Sequence, residues 1–107
     1  MLSMLPQPES YYQDLIHQEI GGVKEYQLED RTRVDILTRN RAIEIDWQNK
    51  WAEGVGQSIY YSVKTSRPPL VILLATSPSW PRYEERVEAC GVECWVYSVD
   101  AEEFIKY

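Results

Sequence analysis

Arg33-Val34-Asp35-Ile36-Leu37-Thr38, Arg39-Asn40, Arg41-Ala42-Ile43-Glu44-Ile45-Asp46 is the stretch on which the reading of this chain turns. Apolar and polar residues alternate on both sides of Arg39-Asn40, the mark of two half-buried strands joined by a tight turn. With Arg39-Asn40 as a two-residue turn, Thr38 pairs with Arg41, and counting inward sets Asp35 opposite Glu44. Directly opposed residues of an antiparallel pair have Cβ atoms about 4.5–5.5 Å apart on one face. Val34, Ile36, Ile43 and Ile45 then point to the other face, into the core. Two like charges opposed in this way are destabilising and call for compensation. Two arrangements supply it: a divalent cation such as Mg²⁺, which takes one or two carboxylates and fills its shell with water and phosphate oxygens, or the neighbouring arginines. Arg33, opposite Asp46 in the same register, is expected to pair with it.

Upstream, Ser10 reads as an N-cap, and Leu15, Ile16, Glu19 and Ile20 follow a helical period closed by Gly21-Gly22. Val23–Leu28 reads as a strand and Glu29-Asp30-Arg31 as a turn. A three-residue loop there would bring Glu25 beside Asp35, whereas a two-residue loop would turn it inward, which is unfavourable for an unpaired carboxylate. Downstream, residues 48–64 change to a helical period with Ala52, Val55, Ile59 and Val63 as the expected apolar stripe. Arg67-Pro68-Pro69 stops that helix. Leu70–Ala75 is a continuous apolar run, as in a strand covered on both faces. Pro78 and Pro81 introduce a helix over Arg82–Cys90, Gly91 breaks it, and Val92–Val99 is a last strand. Asp100–Ile105 is expected to add a closing helical turn. The order α-β-β-β-α-β-α-β predicts an α/β domain, a mixed sheet flanked by helices, over residues 9–107 after a loose leader at 1–8.

At 107 residues, 44% apolar and 26% charged, the chain suits one globular core. The leader lacks the basic and apolar regions of a signal peptide, and no stretch approaches the ~20 apolar residues of a membrane span. Cys90 and Cys94 make neither a disulfide framework nor a four-ligand zinc site, which suits a reducing cytoplasm. Net charge is −6, from 11 basic and 17 acidic residues, and argues against a broad electrostatic hold on nucleic acid. Six of the eleven basic residues nevertheless fall between Lys24 and Lys50, leaving room for a locally basic site. His17 stands alone without a Cys or a second His nearby, and Gly54-x-Gly56 lies within a helix, so neither hydrolase triad nor phosphate loop is indicated. Trp47 and Trp51 flank Lys50; core packing is expected of Trp51. Trp80, Trp95, Tyr83 and Tyr97 are candidates for a dimer face.

The run Arg33–Leu37, then Ala42–Asp46, then Gly56-Gln57-Ser58-Ile59-Tyr60-Tyr61 resembles the PD-(D/E)xK nucleases, with their restriction-endonuclease-like α-β-β-β-α-β core. Within them it is similar to the RecB-type branch, whose helix carries Gln-x-x-x-Tyr. The resemblance covers residues 10–75, and the additional helix and strand lie beyond it. It implies a metal-dependent DNA nuclease using Mg²⁺, or Mn²⁺ in its place. Asp35, Glu44 and the Ile45 carbonyl would hold the metal, with Glu25 or, from the first helix, Glu19 as a third acid. Gln57 and Tyr61 would support the site or meet the DNA backbone, and Arg33 and Lys64 would bind substrate. The family's lysine should stand two residues after Glu44, where this chain has Asp46, and Lys50 is the candidate substitute. Lys50, Gln57, Tyr61 and Lys64 are expected along one helical stripe. A chain this small would recognise DNA structure or ends, or rely on a homodimer or larger partner protein for targeting. The alternative is a nuclease-like fold that no longer cuts and serves as a nucleic-acid- or protein-binding module.

Overall fold

A computed structural model describes residues 6–76 and 82–107. Helix α1 (Glu9–Ile20) leads into strands β1 (Val23–Gln27), β2 (Arg33–Leu37) and β3 (Ala42–Trp47). A 3₁₀ turn (Gln48–Lys50) opens helix α2 (Trp51–Thr65), followed by β4 (Pro69–Ala75), α3 (Tyr83–Ala89), β5 (Glu93–Ser98) and β6 (Glu103–Lys106). The six strands lie side by side in chain order. β1, β2 and β3 form an antiparallel meander, β3, β4 and β5 run parallel, and β6 returns antiparallel to β5.

Two parallel crossovers in the same direction put α2 and α3 on one face, as right-handed connections require. Their core joins Val55, Val87, Val92 and Cys94 to Val71 and Leu73 of β4. α1 covers the opposite face, where Tyr12 and Ile16 meet Ile36, Ile43, Ile45, Leu70, Ile72 and Leu74. The apolar run of β4 thus feeds both faces, as its unbroken hydrophobicity demands.

The described residues depart from the expected elements in places. α1 starts at Glu9 after an extended Pro8, with no side-chain cap, so Ser10 lies inside the helix. Its end is as expected: Gly21 at φ 78° sends its N–H to the His17 carbonyl. The last segment is not a helical turn but β6, because a hairpin seats Phe104 against Trp95 and Tyr97, at ring centroids of 5.7 and 5.0 Å. Tyr97 is a core residue and Trp95 is overlaid by Arg41, Phe104 and Tyr107, while Tyr83 packs on the core beneath α3. Of the four aromatics, only Tyr97 is fully buried, while Trp95 and Tyr83 are half-buried; Trp80, Pro78 and Pro81 lie outside the described residues.

Of the apolar stripe expected on α2, only Val55 is buried. The helix buries Gly54, Val55, Ser58 and Tyr61, while Ala52, Ile59 and Val63 face solvent. Two contacts fix this rotation. Gly54 allows close approach to β3: a Cβ there would stand 3.2 Å from Asp46 Oδ2 and 3.4 Å from Val71 Cγ1. Tyr61 fills the space among Val34, Leu37 and Ala42, a larger apolar payload than Ile59 or Val63 would bring.

Candidate functional site

The β2–β3 ladder pairs Leu37 with Ala42 and Ile36 with Ile43, and the next step of that register sets Asp35 opposite Glu44. The Thr38 N–H to Arg41 carbonyl bond (3.0 Å) closes the two-residue turn assumed from the sequence. At Asp35 and Glu44 side chains bond the main chain. The Asp35 N–H donates to Glu44 Oε2 (3.2 Å), and the Ile45 N–H donates to Asp35 Oδ2 (2.8 Å). Ile45 thus enters the site through its main chain. The second oxygen of each carboxylate has no hydrogen bond among the described residues.

β1 completes the row. Lys24 lies opposite Ile36 and Tyr26 opposite Val34, which places Glu25 beside Asp35. The Leu28 N–H to Thr32 carbonyl bond leaves Glu29-Asp30-Arg31 as the three-residue loop that this register needs. Glu25 adopts φ 56°, a local break in an otherwise extended edge strand. Buried Gln13 of α1 holds the row together, its amide donating to Glu25 Oε2 (2.8 Å) and to the Asp35 carbonyl (3.1 Å).

The electrostatics are those of acids crowded together and partly withdrawn from water, with Glu44 alone fully buried. Burial is the first cause lifting the Glu44 carboxyl well above the ordinary range; the Asp35 charge adds to it, and the Asp35 N–H partly offsets it. Burial likewise raises Asp35, opposed by the Ile45 N–H and reinforced by Glu9, Glu25 and Asp46. Asp46 is pushed up to about 7 by burial, then by Glu9 and Glu53, with Lys50 pulling the other way. Glu9 is itself raised by burial. None of Asp35, Glu44 and Asp46 forms an ion pair among the described residues. Arg33 does not meet Asp46: its guanidinium lies 3.7 Å from Glu25, on the exposed edge.

The remaining expected residues divide. Lys50 ends the 3₁₀ turn, exposed, with its charge felt at Glu9 and Asp46. Tyr61 is buried, and its titration is raised by burial and by Glu44. Gln57 is exposed on α2. Lys64 stands apart over the Tyr60 ring (5.8 Å), lining an open cleft of about 540 Å³ with Tyr26 and Asp30. Lys50, Gln57, Tyr61 and Lys64 therefore share no common face, because Tyr61 turns inward and Lys50 precedes the helix. Glu19 is exposed, and its charge is felt at Tyr97 instead.

The first helix does send an acid to the site, but it is Glu9. Glu9 and Gln13 are the members that sequence reading missed, and Asp46, expected to pair with Arg33, instead joins the acids of the site. The signal was present: residues 9 and 13 lie one helical turn apart, and residue 46 shares a strand face with 44.

No group of three or more Asp, Glu, His or Cys side chains among the described residues is gathered tightly enough to cage an ion. The donor set on hand is two carboxylates with one oxygen each to spare, which fits a hard cation that keeps much of its water, as Mg²⁺ does. Compared with known proteins, the chain matches no family model, no curated sequence and no solved structure. Among the described residues no helix is long and apolar enough to cross a membrane.

Proposed function

We propose that this chain is a metal-dependent phosphodiesterase acting on DNA, a member of the PD-(D/E)xK nucleases of the RecB-type branch, working in the cytoplasm. The observation that carries the reading is the opposed pair of buried Glu44 and half-buried Asp35, unpaired with any cationic side chain among the described residues. Withdrawing unpaired carboxyls from water is costly and raises their titration, and groups perturbed in this way gather preferentially at functional sites. The order α1-β1-β2-β3-α2-β4 supports the restriction-endonuclease-like core as its scaffold.

In this reading Asp35 and Glu44 hold Mg²⁺, or Mn²⁺ in its place, through their spare oxygens. When bound, the ion supplies Lewis-acid polarisation of the scissile phosphate and an acidified water. The Ile45 and Asp35 N–H groups fix the carboxylate orientations. Gln13 keeps Glu25 drawn in beside Asp35. Lys50 offers the positive charge that Asp46 cannot, stabilising charge on the phosphate. With net charge −6 the chain has little general affinity for a polyanion, so substrate placement falls to DNA ends or structure, to a second copy or to a partner protein. The second reading, a nuclease-like domain that binds without cutting, is favoured by Asp46 at the lysine position.

The test is cleavage of labelled linear, flapped, branched and single-stranded DNA with Mg²⁺ or Mn²⁺, by wild type, Glu44→Ala and Lys50→Ala. Cutting by wild type that vanishes in Glu44→Ala establishes the nuclease, and the Lys50→Ala lane reports the role of that lysine. Intact DNA in every lane with purified wild type moves the assignment to the binding module.

A further inference from the structure

Helix α2 is apolar on the wrong side. Its inward face is Gly54, Val55, Ser58 and Tyr61, yet Val63 is 73% exposed, Ile59 43% and Tyr60 40%. Ala52 and Gly56 are exposed on the same outward face, and a Cβ built on Gly56 would meet nothing within 4 Å. Residues 52, 56, 59 and 63 follow four-, three- and four-residue steps, the spacing of a seam between two helices. A solvated helix normally presents charge and polarity outward.

We propose that this seam is covered by the same helix of a second copy, the two packed antiparallel about a twofold axis between residues 57 and 58. The pattern of sizes selects that arrangement. An antiparallel pairing centred there sets Val63 against the partner's Ala52 and Ile59 against the partner's Gly56, so each large side chain lands on a small one. Parallel pairing in register would set Val63 on Val63 and leave a gap at Gly56. Charge selects it again. Glu53 and Lys64 lie on the same flank of the seam and form no ion pair among the described residues. The antiparallel pairing brings Glu53 level with the partner's Lys64 to within two residues, about 3 Å of helix rise, whereas a parallel twofold pair carries this flank of the two helices to opposite sides of the seam and keeps the two charges apart. A closed twofold contact of this kind is self-limiting at the dimer. One helix face is a small interface, so the expected affinity is that of contacts burying under about 1,200 Å², weak and reversible. This pairing does not depend on the nuclease reading.

Sedimentation velocity on the full chain, from micromolar to several hundred micromolar, should show a reversible monomer–dimer equilibrium. Val63→Asp should leave a monomer at every concentration with an unchanged circular dichroism spectrum. Gly56→Leu should also be monomeric while melting no lower than wild type, since it fills the receiving groove and improves the helix, so a folding defect cannot mimic the result. Glu53→Lys and Lys64→Glu should each weaken the dimer and together restore it. In a Cys90→Ser background, mixed A52C and V63C chains should cross-link under mild oxidation while neither does alone. A wild type monomeric throughout, a dimer untouched by Val63→Asp, or A52C cross-linking to itself would each overturn the proposal.

Discussion

Replacing Asp46 with Asn keeps the side chain's size and removes its charge, and its effect on stability should depend steeply on pH. Asp46 lies under Gly54, beside Glu9 and Glu53, with its carboxyl pushed up to about 7 from an ordinary 3.8. The folded state therefore holds this proton to higher pH than the unfolded chain does. Where the folded state binds more protons, stability falls as pH rises. The penalty is absent below about pH 3.8, grows through the interval up to about 7, and is complete above it. A rise from 3.8 to about 7 corresponds to about 4 kcal/mol by linkage. Asp46 is partly solvated, and screening cuts that to about 2 kcal/mol. Asp46→Asn should match wild type at pH 4 and exceed it by about 2 kcal/mol at pH 8, or about 8–16 °C in Tm for a domain of this size. The assay is urea unfolding followed by tryptophan fluorescence at pH 4, 6 and 8, at constant ionic strength with EDTA. Asp35 and Glu44 shift in the same direction, and because the Asp46 charge helps to raise both, its removal also relieves them and adds to the gain at pH 8. A stability difference that is the same at pH 4 and pH 8 would refute the reasoning, as would a variant less stable than wild type at pH 8.

Three further outcomes follow from the same structure. Mg²⁺ at ~100 times its dissociation constant should stabilise wild type by about 2.7 kcal/mol; Glu44→Gln should lose that gain, and an equal shift in both proteins by differential scanning fluorimetry would place the ion elsewhere. Gln13→Leu removes the amide that bonds Glu25 and the Asp35 carbonyl, and in chemical denaturation it should cost about 1–3 kcal/mol. Gly22→Ala should destabilise by about 1–3 kcal/mol, because Gly22 sits at φ 94° and a new Cβ would stand 2.9 Å from the Leu37 carbonyl oxygen and Ile36 Cγ2; an unchanged melting temperature would show that the turn after α1 yields freely.

How much of this was legible in the sequence depends on the range of the interaction involved. The meander, the turn at Arg39-Asn40 and the opposition of Asp35 to Glu44 are local, fixed by alternation and by the number of residues in a turn, and the register bears them out. The continuous apolar run 70–75 announced a strand buried on both faces, as β4 is. Three things needed the tertiary structure. The rotation of α2 was decided by Gly54 fitting against Asp46 and by Tyr61 filling the β2–β3 corner, although helical period alone favoured Ala52, Ile59 and Val63. The last segment became a strand because Trp95 and Tyr97, on a neighbouring strand, gave Phe104 a surface to cover. Glu9 and Gln13 joined the site because α1 lies across the sheet with their turn beside β1 and β2. Periodicity along one chain reports which faces of an element differ; which face is buried is set by the shape of what packs against it, and that shape comes from residues distant in sequence.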